Sequence, residues 1–76
     1  MEAIYVLNEY DDQARIYATY GAFLGLENAI NAWNLLSKEA HRYLRFSEFN
    51  AKTGQPTGTR HNEILQRARN FGLQVA

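Results

Sequence analysis

Apolar and polar residues follow a helical period in two stretches of the chain. In residues 26–38 the polar side chains fill one side, and the apolar side chains recur at helical spacing on the other. This pattern predicts an amphipathic helix, which must lie against an apolar surface. Its apolar stripe consists of Leu26, Ala29, Ile30, Trp33 and Leu36, and Trp33 is the only tryptophan in the chain.

Residues 60–71 carry the second helical pattern. Thr59 is a suitable N-cap for this helix, and Gly72 is well placed to end it. The last residues, 73–76, predict a short extended tail that is either frayed or added to a sheet edge. The apolar stripe of this helix consists of Ile64, Leu65, Ala68 and Phe71.

Three other stretches, residues 3–10, 15–20 and 41–49, alternate in side-chain character and are rich in aromatic and β-branched residues, which predicts strands. The break at 11–13 is short and polar, so the first two strands are expected to form an antiparallel hairpin. We interpret residues 21–25 as a loop that leads into the first helix, with Gly25 as its N-cap. Residues 50–59 contain two glycines and the only proline, and predict a mobile loop.

These elements predict a single α+β domain over residues 1–76. A small antiparallel sheet, with the order β-β-α-β-α along the chain, packs the 26–38 helix on one face and is followed by a C-terminal helix. We expect the second helix to cover the second sheet face, with a partner chain or an open binding surface as the alternatives. The face predicted to be buried carries Ile4, Val6, Ile16, Ala18, Leu44 and Phe46, and the second face carries Tyr5, Leu7, Tyr17, Tyr43, Arg45 and Phe49.

Composition narrows the class of protein. With 76 residues, 46% of them hydrophobic, the chain is expected to fold around a thin core. The absence of cysteine removes disulfides and thiolate metal sites. Apolar runs are too short for a membrane span, and the N-terminus does not have the pattern of a signal peptide, so we expect a cytoplasmic protein that does not enter a membrane.

The net charge of zero conceals a division along the chain. Residues 1–37 contain five acidic residues and one basic residue, whereas residues 38–76 contain three acidic and seven basic residues. The halves are therefore four units negative and four units positive. Such a division predicts pairing of the two halves within the fold, or else an acidic edge and a basic edge that face different neighbours.

The sequence offers little material for catalysis. His41 and His61 are the only imidazoles, and neither occurs in a nucleophile or metal-site motif. The adjacent pair Asp11 and Asp12 falls in a predicted turn, where solvated carboxylates are common. A domain of this size also has little room for a deep pocket. We therefore expect no enzyme activity, no catalytic residue, no metal site, no cofactor and no small-molecule substrate.

One function class that the sequence supports is binding of single-stranded RNA or DNA. Residues 41–46 interleave basic and aromatic side chains, a combination that stacks bases and contacts phosphates in several single-strand binders. The lack of an overall basic excess argues against it. This alternative would use Arg42, Arg45, Lys52, Arg60, Arg67 and Arg69.

Protein binding is the function that the sequence favours. Tyrosine and arginine are enriched in the residues that dominate binding energy at protein interfaces. The partner would be another protein, or a second copy of the chain in a homodimer. By analogy of size and chemistry, such chains include small regulators and phage-encoded inhibitors of host machinery. The predicted surface is bordered by the 50–59 loop and consists of Tyr5, Tyr17, Tyr43, Arg45 and Phe49.

Overall fold

A computed structural model describes residues 2–39 and 42–76. The predicted order of elements and the antiparallel sheet are confirmed, and the sheet has the strand order β2-β1-β3. Neither helix in the described ranges has the length and apolar character needed to cross a bilayer. The elements are β1 (Ala3–Asp11), β2 (Ile16–Leu24), α1 (Leu26–Leu36), β3 (Leu44–Asn50) and α2 (His61–Asn70).

Both helices pack on the same face of the sheet. Their buried side chains join those of β1 and β3 in one hydrophobic cluster. Trp33 and Leu36 of α1 are partly buried against the same cluster. The expectation that α2 would cover the second sheet face is therefore wrong. The buried apolar residues are Ala3, Tyr5, Leu7, Ala29, Ile30, Leu44, Phe46, Ile64, Leu65 and Ala68.

The prediction of which β1 side chains face the helices is also wrong. Leu7 lies opposite Phe46 in the antiparallel register, and Tyr5 lies opposite Glu48. Directly opposed residues share a face, so Tyr5 and Leu7 face the helices together with β3 residues of the core. Ile4 and Val6 consequently lie on the second face. Ile16 and Ala18, which were also expected in the core, are exposed on β2.

β2 extends through the residues that were expected to form a loop. Gly21 pairs with Leu7 and Phe23 pairs with Tyr5, so the strand continues to Leu24. The register shifts between Leu7 and Asn8 of β1, which marks a β-bulge. α1 begins immediately after Gly25, its predicted N-cap, which has a φ of 85° that glycine adopts without strain.

The outer edge of β3 is closed by side chains and by the loop that follows. The N–H of Phe46 donates a hydrogen bond to Nδ1 of His61, at 3.0 Å. The N–H of Thr57 donates to the carbonyl of Glu48, also at 3.0 Å, and the N–H of Asn50 donates to the carbonyl of Gln55. The 50–59 segment therefore folds back along β3, and its mobility stays a prediction.

His61 is expected to stay neutral in the folded protein well below pH 6. Burial, and to a smaller extent Arg45, lowers the pKa of His61 to about 4. The unfolded chain binds a proton at this residue below about pH 6.5, so the stability due to His61 is complete above that pH and is lost as the pH falls toward 4. For this half-buried ring we expect a loss of about 1 to 2 kcal/mol after allowance for solvent screening.

Urea unfolding of the wild type and of His61→Gln at pH 7, 5.5 and 4.5 measures this effect. The wild type should lose stability on acidification by more than the variant, because glutamine does not titrate. A difference between the two proteins that does not depend on pH would contradict the expected pKa.

The end of the chain differs from both alternatives predicted for it. Gly72 ends the α2 region with a φ of 83°, as predicted, and the tail then packs along α1. The indole N–H of Trp33 donates to the carbonyl of Ala76, at 3.2 Å, and the side-chain amide of Asn34 bonds to Gln74 and Ala76. Phe71, expected in the apolar stripe of α2, is 73% exposed.

Candidate functional site

Most of the predicted protein-binding residues lie on the sheet face opposite the helices. We call it the open face. None of its side chains is buried. Within residues 2–39 and 42–76, no helix packs on it, since the buried residues of both helices belong to the cluster on the other side. The open face consists of Ile4, Val6, Asn8 and Tyr10, of Tyr17, Thr19, Ala22 and Leu24, and of Tyr43, Arg45, Ser47 and Phe49.

One end of the open face is a cluster of three tyrosines. The ring centroid of Tyr10 lies 5.2 Å from that of Tyr17 and 6.1 Å from that of Tyr43. Tyr17 and Tyr43 keep 53% and 46% of their surface exposed. A cavity of about 580 Å³ lies against these rings and Asp12. The rings pack against one another in the free protein, so less side-chain conformational entropy is lost when a partner binds.

The hydroxyl group of Tyr17 is protonated at neutral pH. Burial of the ring and the neighbouring Tyr43 raise the pKa of Tyr17 above its ordinary value. A protonated phenol both donates and accepts hydrogen bonds. The tyrosine cluster therefore combines apolar ring surface with polar groups that can be satisfied by a partner, as interface tyrosines commonly do.

Arg45 is held against the tyrosine cluster. Its guanidinium carbon lies 4.1 Å from the centroid of the Tyr43 ring, within the range of a cation–π interaction. Its Nη1 also donates to the carbonyl of Leu44, at 3.0 Å. Arg45 is only partly buried, and a guanidinium in this position suits recognition of a carboxylate or carbonyl group.

The rest of the open face changes from polar to apolar along the strands. Asn8 lies at the centre, where its amide donates to Ser47 and accepts from the hydroxyl of Thr19, both at 3.4 Å. The far end is apolar and is formed by Ile4, Phe49 and Leu24, of which Leu24 is 52% exposed. A partner would thus meet a tyrosine-rich end, a polar centre and an apolar end.

Four of the five predicted protein-binding residues share the open face: Tyr17, Tyr43, Arg45 and Phe49. Tyr5 does not, because it is 3% exposed beneath the helices. Sequence reasoning missed Tyr10, which lies between the other two tyrosines. Its signal was present in the alternation of β1, since Tyr10 falls on the same side as Ile4 and Val6.

The basic residues of the nucleic-acid alternative do not form one surface. Arg42 makes a two-pronged ion pair with Glu9, with both nitrogen–oxygen distances at 2.8 Å, and also contacts Glu39. Arg67 pairs with Glu48 beneath the sheet. Arg45 is the member that lies on the open face. Lys52, Arg60 and Arg69 are exposed on the 50–59 loop and around α2.

Glu48 is a buried charged group that sequence reasoning did not single out. It is 3% exposed and accepts hydrogen bonds from the hydroxyls of Thr57, at 2.6 Å, and Thr59, at 2.9 Å. Arg67 donates to its second oxygen. Burial raises the pKa of Glu48, but the hydrogen bonds from Thr57, Tyr5, Thr59 and Arg67 outweigh it, so the pKa lies below its ordinary value.

The Glu48 network acts as a structural anchor. A carboxylate whose oxygens are occupied by four donors has no position left for a substrate proton. The network instead fastens the 57–59 segment and α2 to the sheet. The N-cap of α2 is Arg60 and not Thr59 as predicted; the Thr59 hydroxyl instead donates to Glu48.

The described part of the chain contains no group of three acidic or histidine side chains placed to hold a metal ion. His41, one of the two imidazoles considered for such a site, lies outside the described residues. Comparisons of the chain with protein-family models, with curated proteins and with solved structures found no match.

Proposed function

We propose that this chain is a non-enzymatic protein-binding module that acts through the open face. The observation that carries the proposal is the placement of both helices on the same side of the sheet. This placement leaves Tyr17 and Tyr43 about half exposed on the other side. An exposed face that combines aromatic and apolar ends with a polar centre is typical of an interaction site.

The composition of the open face favours a folded protein surface as the ligand. Tyrosine buries a large area with few rotatable bonds, and tyrosine and arginine commonly form the centre of an interface. The apolar end includes the aliphatic side chains of Ile4 and Leu24, which add area that a protein surface can bury and on which bases do not stack. We further propose that the module regulates its partner, by occluding a surface as a small inhibitor of the phage-encoded type would.

Single-stranded nucleic acid is the second candidate, because the tyrosine cluster with Arg45 could stack bases. Phosphate binding normally dominates the affinity of such proteins, and each phosphate needs a cation that is not already paired. Arg42 and Arg67 are engaged in ion pairs. On this structure the open face brings one arginine to a strand of bases, so we favour the protein ligand.

The double variant Tyr17→Ala/Tyr43→Ala should lose its partner while it keeps its fold. We expect affinity to fall at least tenfold, because two central aromatic side chains are removed from the interface. Pull-down of tagged protein from lysate, with mass spectrometry, identifies the partner, and titration calorimetry then compares the proteins. Phe71→Ala is the matched control, since Phe71 is exposed but does not lie on the open face.

Nuclease treatment of the lysate separates the two candidates. Recovery of one stoichiometric protein that survives nuclease and is lost only in the tyrosine variant supports the proposal. If the partner is an enzyme, its inhibition by the wild type and not by the variant supports the regulatory role. Material that vanishes with nuclease, or equal recovery by all variants, would overturn the assignment of the open face to a protein ligand.

A further inference from the structure

We propose that two copies of this chain associate through the outer edge of β2, antiparallel and around a twofold axis, to form a continuous six-stranded sheet. The occupant of this edge is therefore a second copy of the chain. This inference concerns the edge of the sheet and does not depend on the ligand of the open face. Of the open-face residues, those of β2 would contact the second copy, and those of β1 and β3 would not.

The two edges of the sheet differ. The β3 edge is closed by His61, Thr57 and Gln55, as described above. In the described residues no strand pairs with the outer side of β2. Proteins usually protect such an edge with charged residues, proline or a β-bulge. β2, with the sequence IYATYGAFL, contains no charged residue and no proline, and its one bulge fits the pairing described below.

The backbone of β2 has a symmetric set of outward groups. In an antiparallel pair, residues alternate between those bonded to the neighbouring strand and those directed away from it. Gly25 bonds to Ala3 of β1, whereas Tyr10 bonds to Tyr43 of β3, which fixes the alternation in β1. Through the observed register, the outward residues of β2 are Tyr17 and Thr19 before the bulge, and Ala22 and Leu24 after it.

Because of the bulge, the outward residues of β2 in one copy can pair with the outward residues of β2 in a second copy. An axis between Tyr20 and Gly21 pairs Thr19 with Ala22 of the second copy, and Tyr17 with Leu24 of the second copy. Every outward residue then faces another outward residue, and each pair occurs twice, as a closed twofold interface requires. The Leu24 carbonyl already accepts from the Asn28 amide, at 2.9 Å, and has a second lone pair for the new bond.

Side chains and charges fit the same register. Of the seven large hydrophobic side chains that are exposed in the described ranges, four belong to β2: Ile16, Tyr17, Tyr20 and Leu24. Tyr20 would lie beside Gly21 of the second copy, which has no side chain to obstruct it. Arg15 would lie beside the start of α1 of the second copy, near Glu27. Neither Arg15 nor Glu27 has an ion pair in the described part of the chain.

The expected dimer is modest in strength. Four half-exposed apolar side chains offer roughly 400 Å² of area per copy, since a buried aromatic residue covers about 150–250 Å². Stable interfaces bury about 800 Å² per partner, so this apolar area alone is too small for a stable dimer. The main-chain hydrogen bonds between the two β2 strands must supply the remaining binding free energy. We therefore expect a dissociation constant in the micromolar range.

Sedimentation equilibrium between about 1 and 200 μM tests the association. The wild type should shift from one chain mass to twice that mass over this range. Ala22→Pro removes an outward N–H and should weaken the dimer at least tenfold. Thr19→Lys/Ala22→Lys, which places lysines opposite each other, should do the same without restricting the backbone. Leu35→Lys, on an exposed position of α1, is the control and should dimerise as the wild type does.

Cross-linking tests the register. The two positions of a hydrogen-bonded antiparallel pair have Cα atoms about 5.5 Å apart, within disulfide range. Because the chain has no cysteine, Thr19→Cys/Ala22→Cys should give a covalent dimer under mild oxidation, and Asn31→Cys/Leu35→Cys should not. A wild type that stays monomeric at 200 μM, or a dimer that is indifferent to the β2 variants, would overturn the proposal.

Discussion

Replacement of Glu48 by alanine is expected to lower the free energy of unfolding by about 3 kcal/mol, near the lower end of the range for breaking a buried ion pair. The variant leaves Arg67 and the hydroxyls of Thr57 and Thr59 without their acceptor. The Arg67 side chain is 39% exposed and can regain water, which limits the loss. Urea unfolding at pH 7 measures it, and Glu2→Ala, at an exposed carboxylate, should change stability by less than about 0.5 kcal/mol.

The effect of Glu48 should depend on pH in a defined direction. Because the pKa of Glu48 is lower in the folded protein than in the unfolded chain, its contribution is complete above the unfolded value of about 4.3. It is lost as the pH falls through the folded pKa. The difference between wild type and Glu48→Ala should therefore shrink on acidification below about pH 4. A difference that grows on acidification would contradict the carboxylate anchor.

Leu7→Ala should lower the free energy of unfolding by about 3 kcal/mol, whereas Val6→Ala should lower it by about 1 kcal/mol or less. Leu7 is fully buried beneath the helices, so its truncation leaves a cavity. Val6 is half-buried on the open face, where water or neighbouring side chains can fill the space. Chemical unfolding of the two variants, side by side, measures the contrast. Equal losses, or a larger loss at Val6, would contradict the assignment of faces.

The sequence contained enough information for the elements and their order, but not for the faces of β1. Ile4 and Val6 on one side and Tyr5 and Leu7 on the other are equally apolar, so alternation alone does not distinguish inside from outside. The pairing of β1 with β3 decides which side is buried, since Tyr5 lies opposite Glu48 and both are buried beneath the helices. A pattern of apolar and polar residues does not predict a glutamate in the core. Glu48 is buried because distant residues donate to it, among them Thr57 and Arg67, which lie 9 and 19 residues further along the chain.

Glycine misled the prediction at the end of β2. Glycine is rare in strand interiors, and Gly21 therefore suggested a loop between the second strand and the helix. In the fold it occupies a position next to the bulge, where a Cβ would lie 3.3 Å from the ring of Phe23. Four of the six residues predicted for the second sheet face lie on the open face, because β3 alternates without interruption and Tyr17 precedes the bulge of β2. The tail was not predictable, since its polar contacts involve single side chains of α1.

The position of Trp33 gives this molecule a built-in optical reporter. Its indole contacts the imidazole of His61, with ring centroids 5.0 Å apart, and the ring of Phe46, and it bonds to the end of the chain. Emission from one fluorophore therefore senses whether α1, α2, β3 and the tail are assembled. Because Trp33 lies on the helix side of the sheet, a ligand seated on the open face leaves the emission unchanged unless it also loosens the core. Trp33 emission can therefore follow unfolding without interference from binding at the open face.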